Sequence, residues 1–245
     1  MRPTYICIAL ILFLISCAAR QSLTPLEADA EFERGQSFFE NKKYNKALES
    51  FERILFYHPS SAYVDDAQYW LGRTYLEKKD YDQAIVEFDY LIRNFPNSDQ
   101  LEDAHFYRAK AYVHGAPGYE KDLSDLEKAI RYFDEFLTQY PNSKYTEDVR
   151  KEILAARNLL AKKELESGRL YEKLKEPNAA LYYYKYILER YPETESASEA
   201  KYRSARIHER NGRVEQALNL YRELLDDTDW GTEAAKRIKD LERSS

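Results

Sequence analysis

The sequence predicts an all-α fold built as an array of helix-turn-helix repeats, and three observations predict it. First, Ala47, Ala84, Ala129, Ala180 and Ala217 recur at spacings of 37, 45, 51 and 37 residues, each followed four residues later by Phe51, Phe88, Phe133, Tyr184 or Tyr221. Residues four apart share one helix face one turn apart. Second, the first four of these repeats reach a proline twelve residues after the alanine, at Pro59, Pro96, Pro141 and Pro192. Proline cannot continue a helix, so each repeat stops there. Third, a composition of 44% hydrophobic and 33% charged residues suits a folded, helix-rich body.

Ahead of the repeats stands Arg2, then a largely apolar run from Tyr5 closed by Leu14-Ile15-Ser16-Cys17. A positive start, an apolar core of about eleven residues and a small residue before the cut describe an export signal, too short to span a bilayer as a stable anchor. With cysteine after the cut, the segment resembles the signal of bacterial lipoproteins. That resemblance implies removal of residues 1–16, acyl chains such as palmitate on Cys17, and a tether over 17–25. An ordinary signal peptide cut near Ala19 is the alternative. Several acyl chains at roughly 0.8 kcal/mol per buried methylene would hold the chain on a membrane permanently. Ala18 stands where lipoproteins kept in the inner membrane often carry Asp, which by analogy points to the outer membrane.

Cleavage leaves 229 residues and takes the formal charge from −6 to about −7. That balance gives no support to nucleic-acid binding. Cys7 leaves with the signal and Cys17 is consumed by lipid, so neither a disulfide nor a catalytic cysteine is expected.

Within the repeats, Leu71-Gly72-Arg73-Thr74-Tyr75, and Gly35 with Phe38, precede the alanine at matching distances. This resembles the tetratricopeptide (TPR) pattern. Gly72 and Ala84 are the expected points of contact between two antiparallel helices, with Tyr75 and Phe88 filling the space around them. Two residues beyond each proline, Ser61, Ser98, Ser143 and Thr194 are candidate N-caps of the next helix. Asp65 and Asp66, Glu102 and Asp103, Glu147 and Asp148, and then Glu199 are expected in its first turn, favoured by the helix dipole rather than by any metal.

Two departures from the period are expected to be structural. Eight extra residues between Val113 and Ala129, including Gly115-Ala116-Pro117-Gly118, predict a loop inside the third repeat. Fourteen extra residues between Pro141 and Ala180 are about 3.9 helical turns, so lengthening the first helix of the fourth repeat preserves its buried face of Val149, Ile153, Ala156 and Leu160. One long helix over 143–174 therefore joins repeats 1–3 (residues 26–142) to repeats 4 and 5 (residues 143–245). Glu233 to Arg243, with Ala234, Ala235, Ile238 and Leu241 on one side, reads as the capping helix.

No catalytic set emerges. His58, His105, His114 and His208 form no His-x-x-x-His pair, so no metal is expected. The seven glycines form neither a phosphate-cradling loop nor a Gly-x-Ser-x-Gly elbow, and no cofactor is expected. Tyr182-Tyr183-Tyr184 could be a ligand stack, but at repeat positions it reads better as wedges between helices.

The lipoprotein signal, the five repeats, and the strings Tyr140-Pro141-Asn142-Ser143-Lys144-Tyr145 and Arg157-Asn158-Leu159-Leu160-Ala161-Lys162-Lys163-Glu164 resemble the BamD family, lipoprotein subunits of the outer-membrane β-barrel assembly machinery. The resemblance implies a non-enzymatic scaffold on the periplasmic face of the outer membrane. Its amino-terminal repeats would receive unfolded barrel proteins, and its carboxy-terminal repeats would dock on a BamA-like barrel subunit. The loop over 114–127 is shorter than in the best-known members, which puts in doubt contacts that need a longer one. The rival resemblance is to periplasmic repeat proteins of the CpoB (YbgF) type, through Ala67-Gln68-Tyr69-Trp70-Leu71-Gly72 and Asp80-Tyr81. That family coordinates envelope constriction, and its usual coiled coil ahead of the repeats is not seen here.

Two surfaces are expected. Flanking the small packing positions of repeats 1–3 are Phe32, Gln36 and Phe39, then Tyr69, Arg73 and Leu76, then Phe106, Lys110 and Val113. They would form a groove with aromatic walls and two cations, suited to an extended segment ending in an aromatic residue and a free carboxylate. Alternatively the aromatics pack between repeats while the cations are solvated or pair with Asp66 and Asp103. Arg206, Arg210 and Arg213 are candidates for gripping partner carboxylates, or form a solvated face.

Overall fold

A computed structural model describes residues 26–119 and 121–244. The signal segment, Cys17 and the tether lie outside the described residues. The chain divides into two compact units, Met1–Val64 and Asp65–Ser245.

The first unit holds repeat 1, made of α1 (Ala28–Glu40) and α2 (Tyr44–Tyr57). Ala47 and Phe51 are wholly buried. A Cβ added to Gly35 would stand 2.5 Å from the Phe51 ring. The glycine makes room for a ring, where the sequence pointed to close approach of two backbones at the small residue.

The second unit continues with α3 (Val64–Glu77) and α4 (Tyr81–Asn94), α5 (Leu101–Gly115) and α6 (Ser124–Gln139), then α7 (Thr146–Lys173) and α8 (Pro177–Arg190). It ends with α9 (Glu195–Arg210), α10 (Val214–Arg222) and α11 (Gly231–Ser244). The expected long helix is α7, 28 residues, and the expected loop runs between α5 and α6. Here too the repeat alanines and their aromatic partners are wholly buried. Gly72 and Gly168 face the rings of Phe88 and Tyr184 as Gly35 faces Phe51. Within this unit each second helix packs on the first helix of the next repeat, and the first helices α5, α7 and α9 touch in succession.

The turn inside repeats 1, 2, 4 and 5 is the same. Lys42, Lys79, Lys175 and Gly212 have φ of 57°, 62°, 62° and 71°. In each, the N–H of that residue and of the next bond back to carbonyls of the helix just ended, as Lys79 N–H does to Leu76 O (2.9 Å) and Asp80 N–H to Tyr75 O (2.9 Å). These are left-handed C-terminal caps.

Three expectations need correction. Ser61, Ser98 and Ser143 do not cap α3, α5 and α7 directly. Their hydroxyls accept the N–H two residues on, at 3.1, 3.2 and 3.0 Å, and so fold one turn ahead of the helix; Thr194 does stand at the N-cap of α9, but its hydroxyl donates back to Tyr191 O at 2.8 Å and caps no helical N–H. Glu199 lies beyond the first turn of α9, where Glu195 is the acidic residue. Ala235 is exposed and α11 packs through Ala234, Ile238 and Leu241, because only these fall on the stripe facing Tyr202 and Tyr221.

His105 on α5, with its ring 6.0 Å from that of Tyr140, carries a pH dependence. Burial first, then the charge of Arg108, pushes its pKa down to about 4. The unfolded chain takes up this proton below roughly pH 6.5 while the native chain refuses it until about pH 4. Stability therefore falls as pH drops through that window. His105→Gln should flatten this part of the profile, read as urea midpoints at pH 7 and 5; an unchanged slope would assign the acid sensitivity elsewhere.

Candidate functional site

The first helix of each repeat presents two positions built on the small packing residue, and their chemistry divides the array. One residue after it stand Gln36, Arg73, Lys110, Arg169 and Arg206; four residues after it stand Phe39, Leu76, Val113, Glu172 and Glu209. The switch from apolar to acidic side chains coincides with a switch of the buried ring from Phe51, Phe88 and Phe133 to Tyr184 and Tyr221. The two changes are one device. The Tyr184 hydroxyl donates to Glu172 Oε2 at 2.8 Å, and the Tyr221 hydroxyl to Glu209 Oε2 at 2.8 Å.

Each of these glutamates also receives an arginine from the next first helix. Arg203 Nη1 donates to Glu172 Oε2 at 2.8 Å, and Arg237 is bound to Glu209. Arg203 Nε donates to Glu199 Oε1 at 2.6 Å, and Arg169 holds Glu199 in a two-pronged pair while bonding Glu166 at 2.5 Å. Burial alone would raise the Glu199 pKa, but hydrogen bonds from Arg169 and Arg203 outweigh it and hold the carboxyl below its usual range. This network over repeats 4 and 5 was missed from sequence; the signal for it was the paired appearance of Glu and Tyr.

The expected groove residues are placed as follows. In the first unit Phe32 packs between Phe51 and Tyr63, with ring centroids 6.0 and 5.2 Å away, Gln36 is half-buried, and Phe39 meets Tyr44 edge-on at 5.7 Å. In the second, Tyr69 is buried, accepts from Arg73 Nη1 at 2.8 Å and donates to Asp103 at 3.3 Å. The Arg73 guanidinium carbon stands over the Tyr107 ring, 3.9 Å from its centroid, and its Nε has no hydrogen-bond partner. Leu76 packs on the core of repeat 2. Phe106 is buried and stacked on Tyr145 at 4.1 Å, Val113 is buried, and Lys110 pairs with Glu152 at 3.5 Å. Asp66 is taken by Gln100 and Asp103 by Lys144. Of the expected groove residues in repeats 2 and 3, Arg73, Leu76 and Lys110 are half-buried, while Tyr69, Phe106 and Val113 pack inside.

Like Arg73, Arg206 donates to the tyrosine one turn before it, the Tyr202 hydroxyl at 3.2 Å, and its Nε makes no hydrogen bond but stands 3.8 Å from Glu209 Oε2. Arg210 is 63% exposed and stands 3.8 Å from Glu172, in a cleft with Lys175, Pro177, Ile207 and Asn211. Arg213 is exposed. Of Tyr182-Tyr183-Tyr184, Tyr184 is core, Tyr183 stacks on Tyr171 at 5.4 Å and Tyr182 is exposed. Among the described residues no cluster of three or more His, Cys, Asp and Glu could hold a metal, and no helix is long and apolar enough to cross a membrane.

Solved structures share this architecture. The yeast Sti1 TPR2AB domain in complex with an Hsp90 peptide is 17% identical, covers 89% of this chain and 83% of its own, and has a TM-score of 0.50. A TPR protein of Bacteroides fragilis is 15% identical over 91% and 100% of the two chains with a TM-score of 0.48, and one of Thermus thermophilus is 22% identical over 87% and 98% with a TM-score of 0.39. No curated protein matches significantly. The family model described as YfiO, outer membrane lipoprotein, matches residues 26–222. The match takes in all five repeats, and this chain belongs to the YfiO (BamD) family of outer membrane lipoproteins.

Proposed function

We propose that this chain is a lipid-anchored, non-enzymatic scaffold of outer-membrane protein assembly, held on the periplasmic face of the outer membrane through Cys17. Its repeats 2 and 3 receive unfolded barrel segments, and repeats 4 and 5 dock on a BamA-like barrel subunit. The observation that supports this division is the change of side chains four residues after the packing residue, apolar at Leu76 and Val113 but acidic and arginine-bridged at Glu172 and Glu209. A half-buried Leu76 beside the cations Arg73 and Lys110 suits an aromatic residue and a terminal carboxylate. A surface of arginines held in place by glutamates suits a polar, specific interface.

The test uses the lipidated chain purified from membranes. The native chain should co-purify with a large barrel protein, and Arg210→Glu/Arg213→Glu, at two exposed positions, should lose it while the helical circular dichroism melt is unchanged. Adding Arg206→Glu should not restore it. In the same preparations, Arg73→Gln should weaken a peptide ending in an aromatic residue and a free carboxylate by roughly tenfold, the scale of one charge-assisted hydrogen bond. Lys110→Gln should add to that loss. Retained barrel protein in the folded double reversal would move the docking surface off these arginines, and unchanged peptide affinity would move the substrate site.

A further inference from the structure

The first compact unit carries an exposed aromatic pair that neither its core nor the proposed surfaces use. Phe56 and Tyr57, the last residues of α2, are 77% and 54% exposed, and their rings meet edge-on at 4.8 Å. Phe56 is the most exposed of the large apolar side chains in the described residues. Beside them Leu26, where the described chain begins, is 40% exposed. The two features are tied together, because His58 Nε2 meets the Leu26 carbonyl oxygen at 2.8 Å. Leu26 is therefore fixed to the same helix end that bears the rings.

We infer that Phe56, Tyr57 and Leu26 form a membrane-contact edge that enters the interfacial layer of the bilayer to which the chain is anchored. The inference rests on the lipid-anchor reading. Residues 17 to 25 number nine, and nine residues reach at most about 30 Å when fully extended. Acyl chains on Cys17 thus keep Leu26 within that distance of the lipid surface, and its contact with His58, the residue after the ring pair, holds that helix end beside it. Aromatic rings with one apolar body and one polar tip settle at the headgroup level, as Tyr57 can with its hydroxyl outward and Phe56 below it. A tethered site meets its surface at high effective concentration, so even two rings suffice to orient the body. Lipid is the occupant favoured over a protein groove, because the nine residues 17–25 hold this edge close to the anchoring bilayer.

The experiment places the full lipidated chain in vesicles of phosphatidylethanolamine and phosphatidylglycerol, with and without lipid brominated near the top of its acyl chains. Two variants are compared after subtraction of the native emission from Trp70 and Trp230: Phe56→Trp, and Lys43→Trp at the other end of α2, about 20 Å away along the helix. Intact mass is taken first to show acylated Cys17. The expected result is emission of Phe56→Trp that falls with brominated lipid and is blue-shifted, while that of Lys43→Trp is unaffected. An acylated Phe56→Trp protein quenched no more than Lys43→Trp would overturn the membrane edge and leave the anchor standing. A chain without lipid on Cys17 would overturn both together.

Discussion

Phe88→Ala should lower stability by about 3–5 kcal/mol, the cost of emptying a fully buried phenylalanine site. Phe88 is wholly buried between Gly72, Tyr69 and Tyr107, whose rings lie 6.2 Å from its own. The cavity cannot collapse easily, because the surrounding rings are themselves held by Arg73 and Asp103. Gly72→Ala attacks the same contact from the other side. Its Cβ would stand 2.7 Å from the Phe88 ring, and with nowhere for the ring to go the cost should be about 1–3 kcal/mol. Urea midpoints by circular dichroism measure both. The decisive measurement is Gly72→Ala in a Phe88→Leu background, where the smaller side chain should relieve the clash. Costs that simply add would show that the two residues do not share the space assigned to them.

The alanine and aromatic pair of each repeat is legible as core, because repetition makes its four-residue spacing visible. Direct contact of the ring with the glycine sixteen residues earlier is not, since in the sequence the small residues Gly72 and Ala84 point to each other. The turn caps were not legible. Lys42, Lys79 and Lys175 take a left-handed conformation that glycine takes at Gly212, and lysine carries no sign of it in a sequence. The serine turns were placed one turn late for a similar reason, since a hydroxyl can close either a lead-in turn or the helix itself. The groove was the least legible. The position three residues before the small packing residue, Gly72 or Ala109, can face a ligand or the neighbouring repeat, and helical period is the same for both. Only the partners decide, Asp103 for Tyr69 and Tyr145 for Phe106, and those lie in the next repeat. Nor did the sequence decide between cations open to a groove and cations paired with Asp66 and Asp103: Arg73 rests on Tyr107 and Lys110 pairs with Glu152.

Glu172→Ala should cost about 2–3 kcal/mol, the second large effect and one that tests why repeats 4 and 5 differ from repeats 2 and 3. Removing this carboxylate leaves the hydroxyl of the wholly buried Tyr184 without its acceptor and takes from Arg203 one of its two glutamates. The loss stays below that of a fully buried pair because the Arg203 side chain is 32% exposed and Glu199 still holds its Nε. Tyr184→Phe alone should cost about 1 kcal/mol, a single hydrogen bond. Combining it with Glu172→Leu rebuilds the Leu76 and Phe88 pairing of repeat 2, and burying two apolar groups in place of a polar pair should recover much of the stability lost in Glu172→Ala. Docking should respond differently. Arg210 stands 3.8 Å from Glu172, so the apolar pair leaves that arginine without its anchor even where the fold is restored. Acidification separates the parts again. Glu199, held below the usual carboxylate range, contributes stability that is present at neutral pH and lost as pH falls through its depressed native value. The acid limb below roughly pH 4.5 should therefore persist in the Leu and Phe double variant. A double variant as unstable as Glu172→Ala would show that the charged network, rather than the shape of the pair, holds the two carboxy-terminal repeats together. One that is stable yet still binds the barrel protein would remove Arg210 from the docking surface.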